Sequence, residues 1–396
     1  MVSSPEVSIR VVRDLGEIEE IRGVWSAWNR QPNSDIDFYL TVLRCGPEVV
    51  RPHIIVLTRS GSADALLIGR IEDTRFELKM GYRTVFRPAA RTLTFVNGGF
   101  LGNESPENCK VLVHAVKGAL RKGEADLAFF NLLRADSPFF RHGLRSPFLA
   151  LQPHRAFVLP DTVEELYQSM SPKVRENVRW RAKKLLHDYP RNVTVRCFRS
   201  TGELERAVQD VEEVAKRTYQ RGLGVGFVDS SMMRQRLHFE AQKGWLRVCV
   251  LYVADEPCAF WLGALYQDTF YGSYTGYDPS YAKYSPGMFL FMRVIEEFCG
   301  SNGNQRVREI DWGFGDAQYK SFLGNREWQE SSIYLFSPTL RGVRLRFLTA
   351  SMMLADRLAR RVLIRAGLLT KAKKVWRDRL RGKAAPSLAS DGGKSI

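Results

Sequence analysis

The sequence predicts a mixed α/β (α+β) protein of two tandem domains, each a mixed central sheet flanked by helices, followed by a basic C-terminal helical tail. Three observations lead there. Strand-like and helix-like patterns alternate twice, in similar order before and after residue 150 and without residue repetition. The 396 residues, 44% hydrophobic, are enough for two ordinary cores. The excess basic residues, which set a formal charge of +16, gather in one internal stretch and at the chain end.

In the first half, residues 53–57 and 65–71 read as strands joined at Arg59-Ser60-Gly61-Ser62, small residues suited to a hairpin turn. A strand at 92–96 runs into Asn97-Gly98-Gly99. Residues 106–121 place Val111, Leu112, Ala115 and Ala119 at helical spacing, and 127–132 form a short apolar run fit for a buried strand. After residue 193 the pattern returns. A strand at 193–198 precedes helices at 202–219 and 231–243, then strands at 245–253, 259–265 and 269–274 separated by Ala254-Asp255-Glu256-Pro257 and Gln267-Asp268. A helix at 286–299, a strand at 307–312, a short helix at 316–323 and a strand at 332–336 complete the order. The expected division is 1–150 for a first, degenerate copy, 151–338 for the second, 339–383 for the tail and 384–396 for a disordered end.

Residues 339–396 hold fifteen Lys or Arg against three Asp, and residues 171–200 hold nine against two acidic residues. The remainder has a slight negative excess, so the charge belongs to local elements and speaks against a general nucleic-acid binder. The six cysteines stand singly, without CxxC or disulfide-framework spacing, which implies a reducing compartment. Met1 to Glu20 lack the apolar core of a secretory signal, and no run of roughly 20 apolar residues would cross a bilayer. The six histidines show no paired metal-ligand spacing, so no metal is expected. Gly222-Leu223-Gly224-Val225-Gly226 follows a helix and lacks the dinucleotide-loop context; it reads as a loop near an acceptor site. No GxSxG elbow is present, which favours direct attack over a covalent serine intermediate.

Two runs carry chemistry: Tyr277-Asp278-Pro279-Ser280-Tyr281-Ala282-Lys283-Tyr284-Ser285-Pro286-Gly287, and Asp311-Trp312-Gly313-Phe314-Gly315-Asp316-Ala317-Gln318-Tyr319-Lys320. With the element order after residue 193, they resemble the GNAT superfamily of acyltransferases. Within it they look like the CelD-like acetyltransferases of cellulose and exopolysaccharide synthesis, relatives of the two-domain Fem-type transferases. The resemblance spans roughly residues 171–338. It implies an acyl-CoA, in particular acetyl-CoA, as co-substrate, and a sugar or cell-envelope precursor as acceptor of an N- or O-acetyl group.

Ser285-Pro286-Gly287 is a helix start, with proline preorganised at the first position and free amides facing outward, where an anion can bind. The resemblance puts the coenzyme A pyrophosphate there, on Ser285, Gly287 and Met288. The usual GNAT pattern Q/R-x-x-G-x-G/A is absent, and Pro286 removes one donor. Asp311 and Asp316 are candidate proton acceptors, and Asp316 reads equally as a helix N-cap. Tyr319 matches by position the tyrosine that protonates the departing thiolate in GNAT enzymes, and reads equally as a half-buried aromatic. Lys320 is a surface or substrate-binding charge, with Tyr277 a second substrate contact.

The helix at 172–187 is amphipathic and basic, suited to covering a domain junction or to an anionic surface. In the tail, Leu345, Leu348, Met352, Ala355, Leu358 and Val362 recur at helical spacing among arginines, and Lys371, Lys373, Lys374, Trp376 and Arg377 follow. Such a tail can lie on an anionic membrane surface, placing the protein in the cytoplasm or on the inner face of its membrane. Two alternatives stay open: a Fem-type transferase using aminoacyl-tRNA, the one nucleic acid the sequence allows, and an inactive GNAT-like scaffold of an envelope polysaccharide machine.

Overall fold

The structure, a computed structural model, describes residues 6–80, 83–144, 151–222, 226–300, 306–315 and 317–365. Two compact units emerge: Met1–Val158 with Asp311–Ala359, and Leu159–Ile310 with Arg360–Ile396. The first unit begins with β1 (Val7–Val12), α1 (Leu15–Glu20), α2 (Arg22–Trp28), α3 (Ile36–Cys45), β2 (Val49–Arg59) and β3 (Ser62–Arg75). It continues through β4 (Leu78–Met80), β5 (Arg83–Phe86), β6 (Ala89–Gly102), α4 (Pro106–Arg121), β7 (Leu127–Arg134), α5 (Pro138–Gly143) and β8 (Gln152–Val158). The second unit holds α6 (Val163–Ser169), α7 (Pro172–Asp188), β9 (Val193–Phe198), α8 (Leu204–Arg217), α9 (Tyr219–Gly222) and α10 (Ser231–Gln242). Then come β10 (Leu246–Val253), β11 (Glu256–Tyr266), β12 (Thr269–Tyr277), α11 (Pro286–Gly300) and β13 (Glu309–Phe314). Along β13 the chain re-enters the first unit, which it completes with α12 (Gln318–Leu323), β14 (Arg326–Phe336) and the first part of α13 (Leu340–Arg365).

In the first unit the strands lie in the order β1-β2-β3-β6-β7-β14-β8. Only β6 and β7 run parallel among these neighbours, with α4 as the crossover between them. Both faces are covered. Leu112, Val116 and Leu120 of α4 pack with Leu93, Phe95 and Phe130 on one side, while Ile18, Trp25 and Tyr39 pack with Ile54 and Leu66 on the other.

In the second unit β9-β10-β11-β12 form an antiparallel meander. Every residue of β10 is buried, because Val208, Val211 and Val214 of α8 cover one face and α11 packs on the other. A strand covered on both faces needs an unbroken apolar run rather than alternation, and Val248–Val253 supply it. Phe291 of α11 meets Trp261 edge-on at 4.7 Å, and Trp261 meets Phe270 at 4.8 Å.

Two expectations need correction. The contiguous division at residue 150 gives way to interleaved units, because β14 hydrogen-bonds to β7 and β8 and so joins the unit that holds them. The cysteines do not all stand singly: Cys197 and Cys249 are bonded, since the antiparallel register of β9 and β10 sets them opposite one another. Their separation of 52 residues carries no framework pattern.

Candidate active site

Strand β13 delivers Asp311 and Trp312, and the chain then turns through Gly313 (φ 72°) and Gly315 (φ 98°). These left-handed conformations cost a side-chain-bearing residue more than a glycine. The turn is tied down by the Gly315 amide, which donates to the Pro153 carbonyl at 2.8 Å. It leaves the carbonyls of Gly313 and Phe314 facing Lys320, whose Nζ donates to them at 3.2 and 2.7 Å. Lys320 is buried, not a surface charge. Burial pulls its pKa down to about 8, against the opposing pull of the Asp311 carboxylate.

Asp311 is engaged twice through one oxygen, Oδ1, which accepts from the Gly313 amide at 2.7 Å and stands 2.7 Å from His154 Nε2. The other nitrogen of His154, Nδ1, stands 2.8 Å from Glu330. Two acceptors on two nitrogens require both to be protonated. Burial works against that charge, but the hydrogen bonds to Asp311 and Glu330 outweigh it and raise the His154 pKa to about 9. Trp328 stacks on the imidazole at 4.4 Å and donates its indole N–H to Glu330 at 2.6 Å. Arg134 lies over the same indole at 4.8 Å. His154 is therefore a fixed cation with no nitrogen left for a substrate's proton, whereas Lys320 changes charge near neutral pH.

Tyr319 is half-buried, its ring edge-on to Trp312 at 5.6 Å. Asp316 lies outside the described residues, as do residues 223–225 of the glycine-rich loop and everything after 365.

Tyr277, Ser285, Gly287 and Met288 belong to the second unit and come together at the start of α11. Asp278 anchors the approach: its carboxylate accepts from Arg217 at 2.7 Å and from the Ser280 amide at 2.8 Å. Ser285 is left-handed (φ 52°), which swings the chain from the 3-10 turn Pro279–Tyr284 into the helix. The amides of Gly287 and Met288 lie in the first turn, where the helix itself offers no acceptor. A Cβ built on Gly287 would meet only the Tyr277 ring, at 3.8 Å, so there is room beside the first turn at that residue. No acidic residue stands in this first turn. Cations do stand near it: Arg181 of α7 donates to the Lys283 carbonyl at 3.0 Å, and Lys283 lies over the Tyr284 ring.

The corresponding helix of the first unit, α4, is built differently. The Ser105 side chain already accepts from the Asn108 amide, and Glu107 occupies the first turn. A carboxylate there repels an anion. Of the two helix starts, α11 has the chemistry for a phosphate.

The structure thus brings Asp311 together with Lys320, and Tyr277 with Gly287, in different units. Sequence reasoning missed His154, Trp328 and Glu330. Only β8 hints at them, with His154 buried between the more exposed Pro153 and Arg155. A histidine facing a core needs polar partners.

Comparison with known proteins supplies the class. No curated protein matches the chain. Among solved structures it is similar to a tandem GNAT protein from the clavulanic acid biosynthesis pathway, with 12% identity, TM-score 0.49, and 83% of this chain and 98% of that one covered. It is also similar to FemX, with 12% identity, TM-score 0.48, and 78% and 95% covered. A third is a GCN5-related N-acetyltransferase from Sphaerobacter thermophilus, with 12% identity, TM-score 0.42, and 84% and 98% covered. Residues 172–321 match the family described as Acetyltransferase (GNAT) domain, a stretch that takes in Tyr277, Ser285, Gly287, Met288, Asp311, Asp316, Tyr319 and Lys320. By that match the chain carries a GNAT acetyltransferase domain, and its enzyme class is acyl transfer.

Proposed function

We propose that the protein is an acyl-CoA-dependent N- or O-acetyltransferase whose acceptor attacks the thioester directly. The observation that carries the reading is the first turn of α11: amides at Gly287 and Met288 that the helix itself leaves without an acceptor, room beside Gly287, no acidic side chain, and Arg181 and Lys283 nearby. The positive end of a helix favours a pyrophosphate there. Asp278, held by Arg217, keeps the preceding turn in place.

In the transfer, the acceptor's nitrogen or oxygen bonds to the acyl carbon, the carbon–sulfur bond breaks, a base takes the acceptor's proton and the thiolate gains one. We assign the base to Lys320 in its neutral form, since its pKa near 8 suits proton transfer close to neutral pH. Tyr319 is the proton donor to the thiolate. Asp311 and Glu330 act through His154, fixing the end of β13 rather than taking the proton themselves. The acceptor class, a sugar or envelope precursor, follows from the resemblance of the Tyr277–Gly287 and Asp311–Lys320 runs to CelD-like enzymes.

Thermal unfolding with and without acetyl-CoA tests the donor. Ligand at a hundred times its Kd stabilises a native protein by about 2.7 kcal/mol. No rise in Tm with acetyl-CoA in large excess over micromolar would overturn the reading. Mass spectrometry of products formed from acetyl-CoA and envelope sugar extracts identifies the acceptor.

A further inference from the structure

Helix α13 is apolar on two opposite faces. With 3.6 residues per turn, Gly342, Leu345 and Thr349 share one face, and all three are buried. Leu345 packs with Ala90 and Leu127 of the first unit. A Cβ at Gly342 would fall 2.8 Å from the Asp126 carbonyl oxygen and closer still to Ser337, so the helix lies directly against that backbone. The inward face is therefore occupied, and the orientation of the helix is set.

On the outward face, Leu340, Val343, Phe347, Leu354 and Leu358 align at i, i+3, i+7, i+14 and i+18. They are 77%, 51%, 71%, 59% and 51% exposed. Exposed single apolar residues are ordinary, but an aligned row on a helix already docked by its other face is not. Exposed Arg341, Arg344, Arg346, Arg357 and Arg361 border the row. The helix's one acidic residue, Asp356, is partly buried toward the other side. The sequence beyond residue 365 adds Lys371, Lys373, Lys374 and Arg377 around Trp376.

We propose that the outward face of α13 is a docking surface for an anionic lipid bilayer. Charge complementarity selects this occupant. A row of Leu, Val and Phe enters the acyl boundary while flanking arginines meet anionic headgroups. A nucleic acid would use the arginines and leave Phe347 and Leu340 in water, and a second copy of the chain would set arginine against arginine. Among the described residues no helix is long and apolar enough to cross a membrane; with its inward face held on the first unit, α13 would meet the bilayer by its outward face, in the interface plane.

Flotation of the full chain tests this with vesicles of phosphatidylcholine alone and of equimolar phosphatidylcholine and phosphatidylglycerol. Binding is expected to the anionic vesicles, weakening with salt. The double substitution Phe347→Asp with Leu354→Asp should reduce partitioning at least about tenfold, each charge replacing apolar contact with the bilayer. Both sites are exposed, so circular dichroism and Tm should match the wild type. Should the variant nevertheless unfold, the exposed pair Arg344→Gln with Arg346→Gln must weaken anionic binding in its place. The proposal is overturned if wild-type protein ignores anionic vesicles at low salt. It is equally overturned if the folded double variant binds like wild type, or if sedimentation shows a wild-type dimer that the double variant no longer forms.

Discussion

The imidazole of His154 stands 2.7 Å from the Asp311 carboxylate, joining β8 to the end of β13 that carries the Asp311–Lys320 run. Glu330 closes the opposite side of the ring, and Trp328 covers its face. A cation clamped between two carboxylates is a rigid element, and the turn that presents the Gly313 and Phe314 carbonyls to Lys320 starts from it. The cluster thus divides the labour: His154 holds position while Lys320 titrates.

That division gives a stability signature. The folded pKa of His154 is raised from 6.5 to about 9, so its contribution is fully present below pH 6.5 and is lost as pH rises through about 9. The ring is buried, and a shift of this size corresponds to about 3 kcal/mol. Denaturant unfolding across this window should show wild-type stability falling with pH, and His154→Gln should lack that slope. A parallel slope in the variant would remove His154 from the explanation.

Lys320 titrates with the opposite sign. Its folded pKa, about 8, lies below the ordinary 10.5, so its buried charge is a cost at low pH that is relieved as pH rises from about 8 toward 10.5. As the proposed base it must be neutral to act. The rate should therefore climb through pH about 8, and Lys320→Met should lower kcat by roughly a hundredfold and flatten the profile. A wild-type profile that falls through pH 8 would assign the working form to the cation instead.

Local physics explains what could be read from the sequence. The run Val248–Val253 needed no partner to be recognised as a strand, and Pro286 at a helix start is a backbone preference written in one residue. The His154 cluster has no such trace. Its carboxylates lie 157 and 176 residues away, and their meeting depends on β14 choosing β7 and β8 as neighbours. Strand pairing across that distance is a tertiary outcome, set by packing rather than by intrinsic preference. The Cys197–Cys249 bond escaped for the same reason.

Gly287 offers a clean probe of the phosphate reading. Because a side chain there meets only the Tyr277 ring edge, Gly287→Ala should fold normally and bind acetyl-CoA nearly as wild type. Gly287→Glu places a carboxylate at the amide end, where an anion is repelled, and should weaken acetyl-CoA binding at least about tenfold with Tm unchanged. Calorimetric titration reads the difference. Equal affinity in both variants would move the pyrophosphate elsewhere.

The Cys197–Cys249 bond closes a loop across a separation of 52 residues, between strands at the edge of the second unit's meander. In the chain-entropy account a loop of that length restricts the unfolded ensemble by about 4 kcal/mol. The oxidised protein should lose several degrees of Tm when a strong reductant is added, while Cys197→Ala should unfold at the lower temperature with or without it. The buried partner Cys249 keeps its packing in that variant, so the comparison isolates the cross-link from the core. A wild-type Tm insensitive to reductant, with both thiols alkylated once the protein is unfolded in denaturant without reductant, would mean that the two sulfurs are held opposite one another by the sheet without being joined.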